Sequence, residues 1–339
     1  MKHILLISDN KPGHENISRG IIEEISRHNQ VEVSVVYVKL RSKILKRCLR
    51  WLLNRSLDTK YYHHLIKLFY KDARWDQKRF DCIISTGGDT SFINIMLSKI
   101  LNCPNIYCSS LRGLDNTLFN YIISIVHKGY QNEIVVDMAP LSLDLKYDNL
   151  AALKQSYHLL SDKKTWSVLI GGSTKEYLFS KDNFKEMIEQ MIFLAKKHHA
   201  ELLVTTSRRT SPDIEKLLSD VYAENQDVIR KMVLYNKKPE KVIRDYLTLA
   251  DTVFCTEDSG SMITEAILGK KPLYTIRSDN ANPQGVYKPF IEKLIANQYI
   301  VSVNIGEISD ITFQEPFEVI TKKPVEVVYE QLKVLCNTI

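Results

Sequence analysis

Short apolar runs of strand length alternate with amphipathic helical stretches along almost the whole chain, in two successive series. In the first, the apolar runs Ile4–Ser8, Val31–Val38, Cys82–Ser85, Asn105–Ser109 and Tyr121–Val126 read as strands, with helical patterns at Glu15–His28, Ser42–Asn54 and Thr90–Leu101. In the second, strands are expected at Trp166–Ile170, Glu201–Thr205, Met232–Tyr235, Thr252–Thr256 and Pro272–Ile276. Helices are expected there at Lys181–His199, Pro212–Glu224, Pro239–Ala250 and Gly260–Leu268. A β-α alternation of this kind specifies parallel sheets covered by helices on both faces. Occurring twice across a polar seam at 145–164, it predicts two Rossmann-like doubly wound α/β domains facing a central cleft. The expected bounds are 1–150 and 160–322, with a C-terminal helix in 323–339 that crosses back to the first domain. The length of 339 residues fits two domains.

Ordinary globular composition, 44% hydrophobic and 25% charged, argues against disorder. No apolar stretch is long enough for a membrane span, and the N-terminal run is too short for a signal peptide. It reads as the first buried strand of a cytoplasmic protein. Cys48, Cys82, Cys103, Cys108, Cys255 and Cys336 include no Cys-x-x-Cys pair, so reduced buried thiols are expected, and zinc ligation is not. The net charge of +6 is local: Lys39, Arg41, Lys43, Lys46, Arg47, Arg50 and Arg55 stand in one segment without an acid, and the remainder of the chain is near −1. One basic patch points to one anionic partner, not to a nucleic-acid track.

Ligands of open α/β sheets bind at the carboxyl ends of the strands. The turns there carry the chemistry. In Cys255-Thr-Glu-Asp-Ser-Gly-Ser-Met-Ile-Thr-Glu265, a strand gives way to a hydroxyl-rich turn and a helix. Ser259, Gly260 and Ser261 would present backbone N–H groups and hydroxyls to phosphate. Glu257 and Glu265, roughly 12 Å apart along a helix, could reach a sugar and a ribose. The plainer alternative makes Asp258 or Ser259 an N-cap and leaves Glu265 on a solvated face. In Thr205-Thr-Ser-Arg-Arg-Thr210, Ser207, Arg208 and Arg209 suit a diphosphate, since guanidinium pairs with phosphate oxygens bidentately. A surface turn is the alternative. Gly171, Gly172 and Ser173 allow close backbone approach to an anion, without the Walker A or dinucleotide fingerprint.

In the first half, Ser8-Asp-Asn-Lys-Pro-Gly-His-Glu-Asn16 offers Asp9, His14 and Glu15 as bases, with a structural or solvent-exposed loop histidine as the alternative for His14. Thr86-Gly-Gly-Asp-Thr-Ser91 either shapes the same cleft or caps a helix. The basic segment reads as an amphipathic helix. Ile44, Leu45, Cys48, Leu49 and Leu52 form its apolar face, Lys43, Lys46, Arg47 and Arg50 its charged face, and Trp51 its margin. That pattern suits an anionic membrane surface, and equally a helix packed on its own sheet. The aromatic-rich segment 61–70 favours a lipid-linked acceptor.

Together, Ser8–Asn16, Val168-Leu-Ile-Gly-Gly-Ser173, Thr205–Thr210, Thr256–Ala266 and Gly269-Lys-Lys-Pro272 resemble the mitochondrial-fission "elongated mitochondria" family. It is named from a plant protein and widespread in bacteria. Its bacterial members are regarded as glycosyltransferases of surface polysaccharide, such as lipopolysaccharide or capsule. The resemblance implies a GT-B architecture, with the donor nucleotide held mainly by the second domain. The last motif is also similar to the donor site of the lipid-linked N-acetylglucosaminyltransferase of peptidoglycan synthesis. By that similarity Glu265 would bind ribose, and Ser259, Gly260, Ser261 and Met262 would border the phosphates. The Gly13-His14 turn is similar to the turn after that enzyme's first strand. Glu257 departs from the pattern, which has a small residue before the Asp.

The chain contains no Asp-x-Asp. The expectation is a metal-independent glycosyltransferase at the cytoplasmic face of a membrane, with no cofactor. Its partners would be a nucleotide-sugar donor, a glycan or lipid-linked acceptor and an anionic membrane, with no nucleic acid. A nucleotide-sugar epimerase of the same fold and a non-catalytic membrane adaptor are the rival readings.

Overall fold

The computed structural model describes the chain apart from residues 43–45, 56, 72, 77, 286, 314–316 and 339, with side chains up to 333. It divides into two compact units: Met1–Ser142 together with Lys322–Ile339, and Leu143–Thr321.

The first unit runs β1 (Lys2–Ser8), α1 (Pro12–His28), β2 (Val31–Tyr37), β3 (Lys39–Leu40), α2 (Lys46–Leu53), α3 (Tyr62–Phe69), β4 (Tyr70–Lys71), β5 (Cys82–Thr86), α4 (Ser91–Leu101), β6 (Asn105–Cys108), β7 (Tyr121–Ser124) and β8 (Glu133–Val135). Six strands make a parallel sheet in the order β2-β1-β5-β6-β7-β8. The second unit runs α5 (Leu150–Ser156), β9 (Lys164–Leu169), α6 (Lys181–Lys197), β10 (Ala200–Thr205), α7 (Pro212–Glu224), β11 (Ile229–Val233), α8 (Ile243–Leu249), β12 (Thr252–Thr256), α9 (Gly260–Leu268), β13 (Leu273–Arg277), α10 (Tyr287–Ala296) and β14 (Val301–Asn304). Its parallel sheet has the order β11-β10-β9-β12-β13-β14. The last helix, α11 (Pro324–Thr338), packs on α1 of the first unit, where Tyr329 stacks on His28 at 4.2 Å.

Central strands of such sheets are covered on both faces, so they are apolar without alternation. Ile4, Leu5, Leu6 and Ile7 of β1 are all buried, as are Val253, Phe254 and Cys255 of β12. In each sheet the chain first winds one way and then restarts on the other side of the first strand. The reversal falls between β1 and β5 in the first unit and between β9 and β12 in the second. At such switch points the loops diverge and leave a crevice.

Several expectations shift. Helix α1 begins at Pro12, three residues before the expected Glu15, so His14 lies in its first turn instead of in a loop; proline is favoured at that position because its missing N–H is not needed. The seam at 145–164 belongs to the second unit: Tyr147 and Tyr157 both donate to Asp245, and the Leu160 N–H donates to Glu201. The aromatic segment forms α3, which buries Tyr62, Ile66 and Phe69 in the first unit's core. Tyr70, the first residue of β4, is buried in the same core. Strand β11 starts three residues earlier than read, and β8, β14, α5 and α10 were not foreseen. Cys82, Cys103, Cys108 and Cys255 are buried thiols outside any disulfide, whereas Cys48 is exposed.

Candidate functional site

At the first switch point, Ser8 ends β1 and the chain turns through Asn10, whose φ is +58°. Asp9 is directed inward, its side chain 3% exposed. Both carboxylate oxygens lie 3.0 Å from His14 Nδ1, and Lys11 Nζ donates to Oδ2 at 2.5 Å. Burial alone would raise the carboxyl's pKa; the hydrogen bonds and charges of His14 and Lys11 overrule it and hold Asp9 at about 2. An ionised Asp9 only accepts, so Nδ1 carries the proton and Nε2 is the basic nitrogen. The imidazole sits against Gly87, where a Cβ would lie 2.2 Å from Nδ1, and Gly87 has φ +98°. No other residue gives both that backbone and that space.

Asp89, three residues after β5, completes the cluster. Lys46 Nζ donates to its Oδ1 and Lys11 Nζ to its Oδ2 at 3.4 Å, so its pKa falls despite burial. The buried Tyr70 hydroxyl donates to the Asp89 carbonyl at 2.7 Å and fixes the loop. Asp89 thus holds two lysines and does not cap α4, for which Thr90 is the N-cap residue.

At the second switch point, three loops are laced together. The Gly171 N–H donates to the Thr256 hydroxyl at 2.7 Å, and the Thr210 hydroxyl donates back to the Gly171 carbonyl at 2.5 Å. The Gly172 N–H donates to Asp258 Oδ2 at 3.1 Å, and Arg209 Nη2 reaches the same oxygen at 2.5 Å. A Cβ on Gly171 would meet Asp258 Oδ2 at 2.3 Å, and one on Gly172 would meet the Arg209 carbonyl at 2.4 Å. Both glycines are therefore set by close approach. Asp258 is buried, which raises its pKa against the pull of Arg209, and its Oδ1 has no hydrogen-bond partner among the described residues.

The candidate donor residues divide accordingly. Arg208 is exposed with no ion-pair partner among the described residues, whereas Arg209 is committed to Asp258. The hydroxyl of Ser207 accepts from the Arg209 N–H at 3.2 Å, and that of Ser173 is used by the Phe179 backbone. Ser259 precedes α9 without a side-chain capping bond, and the first-turn N–H groups of Gly260, Ser261 and Met262 have no intrahelical acceptor. Ser259 is buried and Ser261 exposed. Glu265 is half-buried on α9 with no hydrogen bond or ion pair among the described residues, and burial pushes its carboxyl up to about 7. It is not on a solvated face.

Glu257 cannot reach a sugar. It is wholly buried and accepts from Tyr177 at 2.7 Å, Arg277 at 2.8 Å, Thr275 at 3.1 Å and Ser302 at 2.5 Å. Four donors from β13, β14 and the loop after β9 make it a brace of the sheet edge, so the departure at this position has a structural cause.

The basic helix α2 is also reassigned in part. Leu49 and Leu53 are buried; Lys46 is turned to Asp89, and Arg50 donates to the Arg112 carbonyl at 2.6 Å. Arg47 is exposed, as is Trp51, which carries Arg55 4.1 Å over its ring. Lys43, Ile44 and Leu45 lie outside the described residues. No helix among the described residues is long and apolar enough to cross a membrane.

The family model for mitochondrial fission ELM1 matches residues 12–325. The chain belongs to that family. A relative in Rickettsia prowazekii (strain Madrid E), an uncharacterised protein, is 22% identical over 240 residues, 68% of this chain. That match spans 66% of the relative's own length, just under two thirds. Among solved structures, the UDP-GlcNAc 2-epimerase of Methanocaldococcus jannaschii with UDP-GlcNAc and UDP aligns over 99% of this chain and 100% of its own at 13% identity, TM-score 0.57. HepE of Anabaena, in complex with UDP and glucose, covers 99% and 95% at 12% identity, TM-score 0.51. UGT89C1 of Arabidopsis thaliana, complexed with UDP, covers 100% and 91% at 9% identity, TM-score 0.51. These likenesses show the fold of this ELM1-family chain, the GT-B fold.

Lys11, Gly87, Asp89, Thr210 and Thr256 also form the site; each lies inside a motif quoted above, where it has no binding or catalytic role of its own. Lys11 was visible beside Asp9. The Lys46–Asp89 pair, 43 residues apart, carried no local signal.

Proposed function

We propose that this chain is a metal-independent glycosyltransferase. Its second unit holds a nucleotide-sugar donor, and His14 of the first unit is the base for an acceptor hydroxyl. The observation that carries the reading is the His14–Asp9 pair at the first switch point: a buried, ionised carboxylate fixes the imidazole tautomer and leaves Nε2 to accept a proton. In an inverting displacement, Nε2 takes the hydroxyl proton as the acceptor oxygen bonds the anomeric carbon. The bond to the leaving diphosphate breaks. Asp9, at about 2, is too weak a base for that role and acts as the positioning residue. Arg208 and the first turn of α9 stabilise the leaving charge. Glu265 accepts from the ribose hydroxyls. The absence of Asp-x-Asp supports a reaction without metal. The acceptor is a surface glycan or glycolipid, and exposed Arg47 and Trp51 meet an anionic membrane at its cytoplasmic face.

The likeness to solved epimerases favours one second reading, a nucleotide-sugar epimerase. The test is incubation with each candidate sugar nucleotide, with and without a membrane extract. Release of nucleoside diphosphate that depends on the extract and disappears in His14→Ala supports transfer. A new sugar nucleotide formed without extract supports epimerisation instead. Failure of every sugar nucleotide to bind favours an adaptor.

A further inference from the structure

After β6 the chain passes through Arg112 with φ +50°, a costly backbone for a long side chain. Its exposed guanidinium lies over Gly88, where a Cβ would be 3.0 Å from Nη1. The neighbouring Gly87 is the residue against which His14 rests. The guanidinium and the imidazole thus flank consecutive residues, at most ~12 Å apart given the Cα step. Arg50 reaches the same loop from α2, donating to the Arg112 carbonyl at 2.6 Å and lying 3.2 Å from where a Gly113 Cβ would be. Among the described residues, neither guanidinium has an acid partner. The nearby acids are already engaged: Asp115 accepts from the Thr117 N–H and hydroxyl, and Asp89 from Lys46 and Lys11. The Arg50 guanidinium therefore rests on the backbone of the loop whose own guanidinium lies over Gly88, next to the two ammoniums held by Asp89. Arg112, Arg50, Lys46 and Lys11 outnumber Asp9, Asp89 and Asp115 there, and an anion relieves the excess positive charge.

We infer that Arg112 and Arg50, with Lys46 beside them, form an anion site on the first unit that takes a phosphate or diphosphate carried by the acceptor. This rests on His14 being the acceptor-side base. Two planar forks suit phosphate oxygens, and the left-handed backbone of Arg112 accompanies a guanidinium that lies over Gly88, next to the glycine on which His14 rests. The acceptor is then a phosphorylated sugar or a lipid-linked sugar phosphate, with its phosphate held while His14 addresses a hydroxyl.

The test is calorimetric titration of the full chain with inorganic pyrophosphate, in wild type, Arg112→Asn and Arg208→Ala. Asparagine tolerates the left-handed backbone, so an unchanged melting temperature is expected for Arg112→Asn. Should it melt early, Arg112→Gly, free of the backbone constraint, replaces it. Pyrophosphate has a second place to bind in the loops of the second unit, so two phases are expected in wild type. Arg112→Asn should weaken one by roughly tenfold or more. Arg208→Ala should weaken the other. Wild-type pyrophosphate binding by both Arg112 variants overturns the inference; if Arg208→Ala is then impaired, the donor reading survives alone. Impairment in Arg112→Asn with none in Arg208→Ala upholds this site and counts against the donor reading. Phosphatidylcholine vesicles containing farnesyl diphosphate separate the sources. Co-sedimentation lost in Arg112→Asn assigns the phosphate to a lipid, and pyrophosphate binding without co-sedimentation assigns it to a soluble acceptor.

Discussion

At the end of β1 the first unit packs ionised groups around the His14 imidazole: Asp9 held at about 2, Lys11, Asp89 and Lys46. At the end of β9 the second unit has two buried glycines, with Asp258 and Arg209 behind them. The carboxyl on α9, Glu265, is pushed up to about 7 by burial, without a partner among the described residues. Both places are switch points of parallel sheets with the same winding reversal. The backbone plan therefore does not decide the chemistry. One switch point carries paired charge around an imidazole, and the other carries glycine backbone laced to Thr256, Thr210 and Asp258.

The largest expected effect breaks the first half of that contrast. His14→Ala should lower turnover roughly 100- to 10,000-fold while leaving nucleotide affinity unchanged in a binding titration. An equal loss of affinity would mean that the imidazole serves binding. On the other side, Gly171→Ala forces a Cβ to within 2.3 Å of the buried Asp258 carboxylate. A loss of about 3 kcal/mol in denaturant unfolding is expected. A near-neutral result would mean that the laced loops are loose.

Asp9→Asn sharpens the comparison through pH. A carboxyl whose pKa falls on folding contributes stability above its unfolded value of 3.8, and that stability is lost as pH falls through about 2. Unfolding at pH 7 should show the variant weaker by about 2 kcal/mol, with the gap closing in acid. Glu265 has the opposite sign. Its raised pKa makes folding less favourable as pH rises from 4.5 to about 7, and the cost persists above that. Glu265→Gln should therefore be more stable than wild type at pH 8, by about 1 kcal/mol after allowing for its partial exposure, and equal to it at pH 4. Its nucleotide affinity should be reduced, whereas wild-type affinity should rise as pH passes 7.

How much of this was legible in the sequence follows from how local each signal is. The central strands are continuous apolar runs, and Ile4–Ile7 and Val253–Cys255 announce themselves. Strands β8 and β14 have only three and four residues, and β14 is nowhere fully buried, so composition gave no run to read. Asp9, Lys11 and His14 are close along the chain, so their meeting was within reach of spacing. Asp89 and Lys46 meet only through the packing of α2. Glu257 and Glu265 have the same residue type in one motif, yet among the described residues four donors surround the first and none the second. Those donors come from distant elements, which one motif does not show. In the Arg208–Arg209 pair, too, only the fold tells the free guanidinium from the anchored one.

The most direct measurement is the melting temperature of wild type and Arg208→Ala against UDP, GDP, ADP, TDP, CDP and CMP. One nucleotide should raise the wild-type value, by the equivalent of about 2.7 kcal/mol at ~100 times its dissociation constant, and raise it less in Arg208→Ala. No shift with any of the six, or the same shift in both proteins, would contradict a nucleotide site at the second switch point.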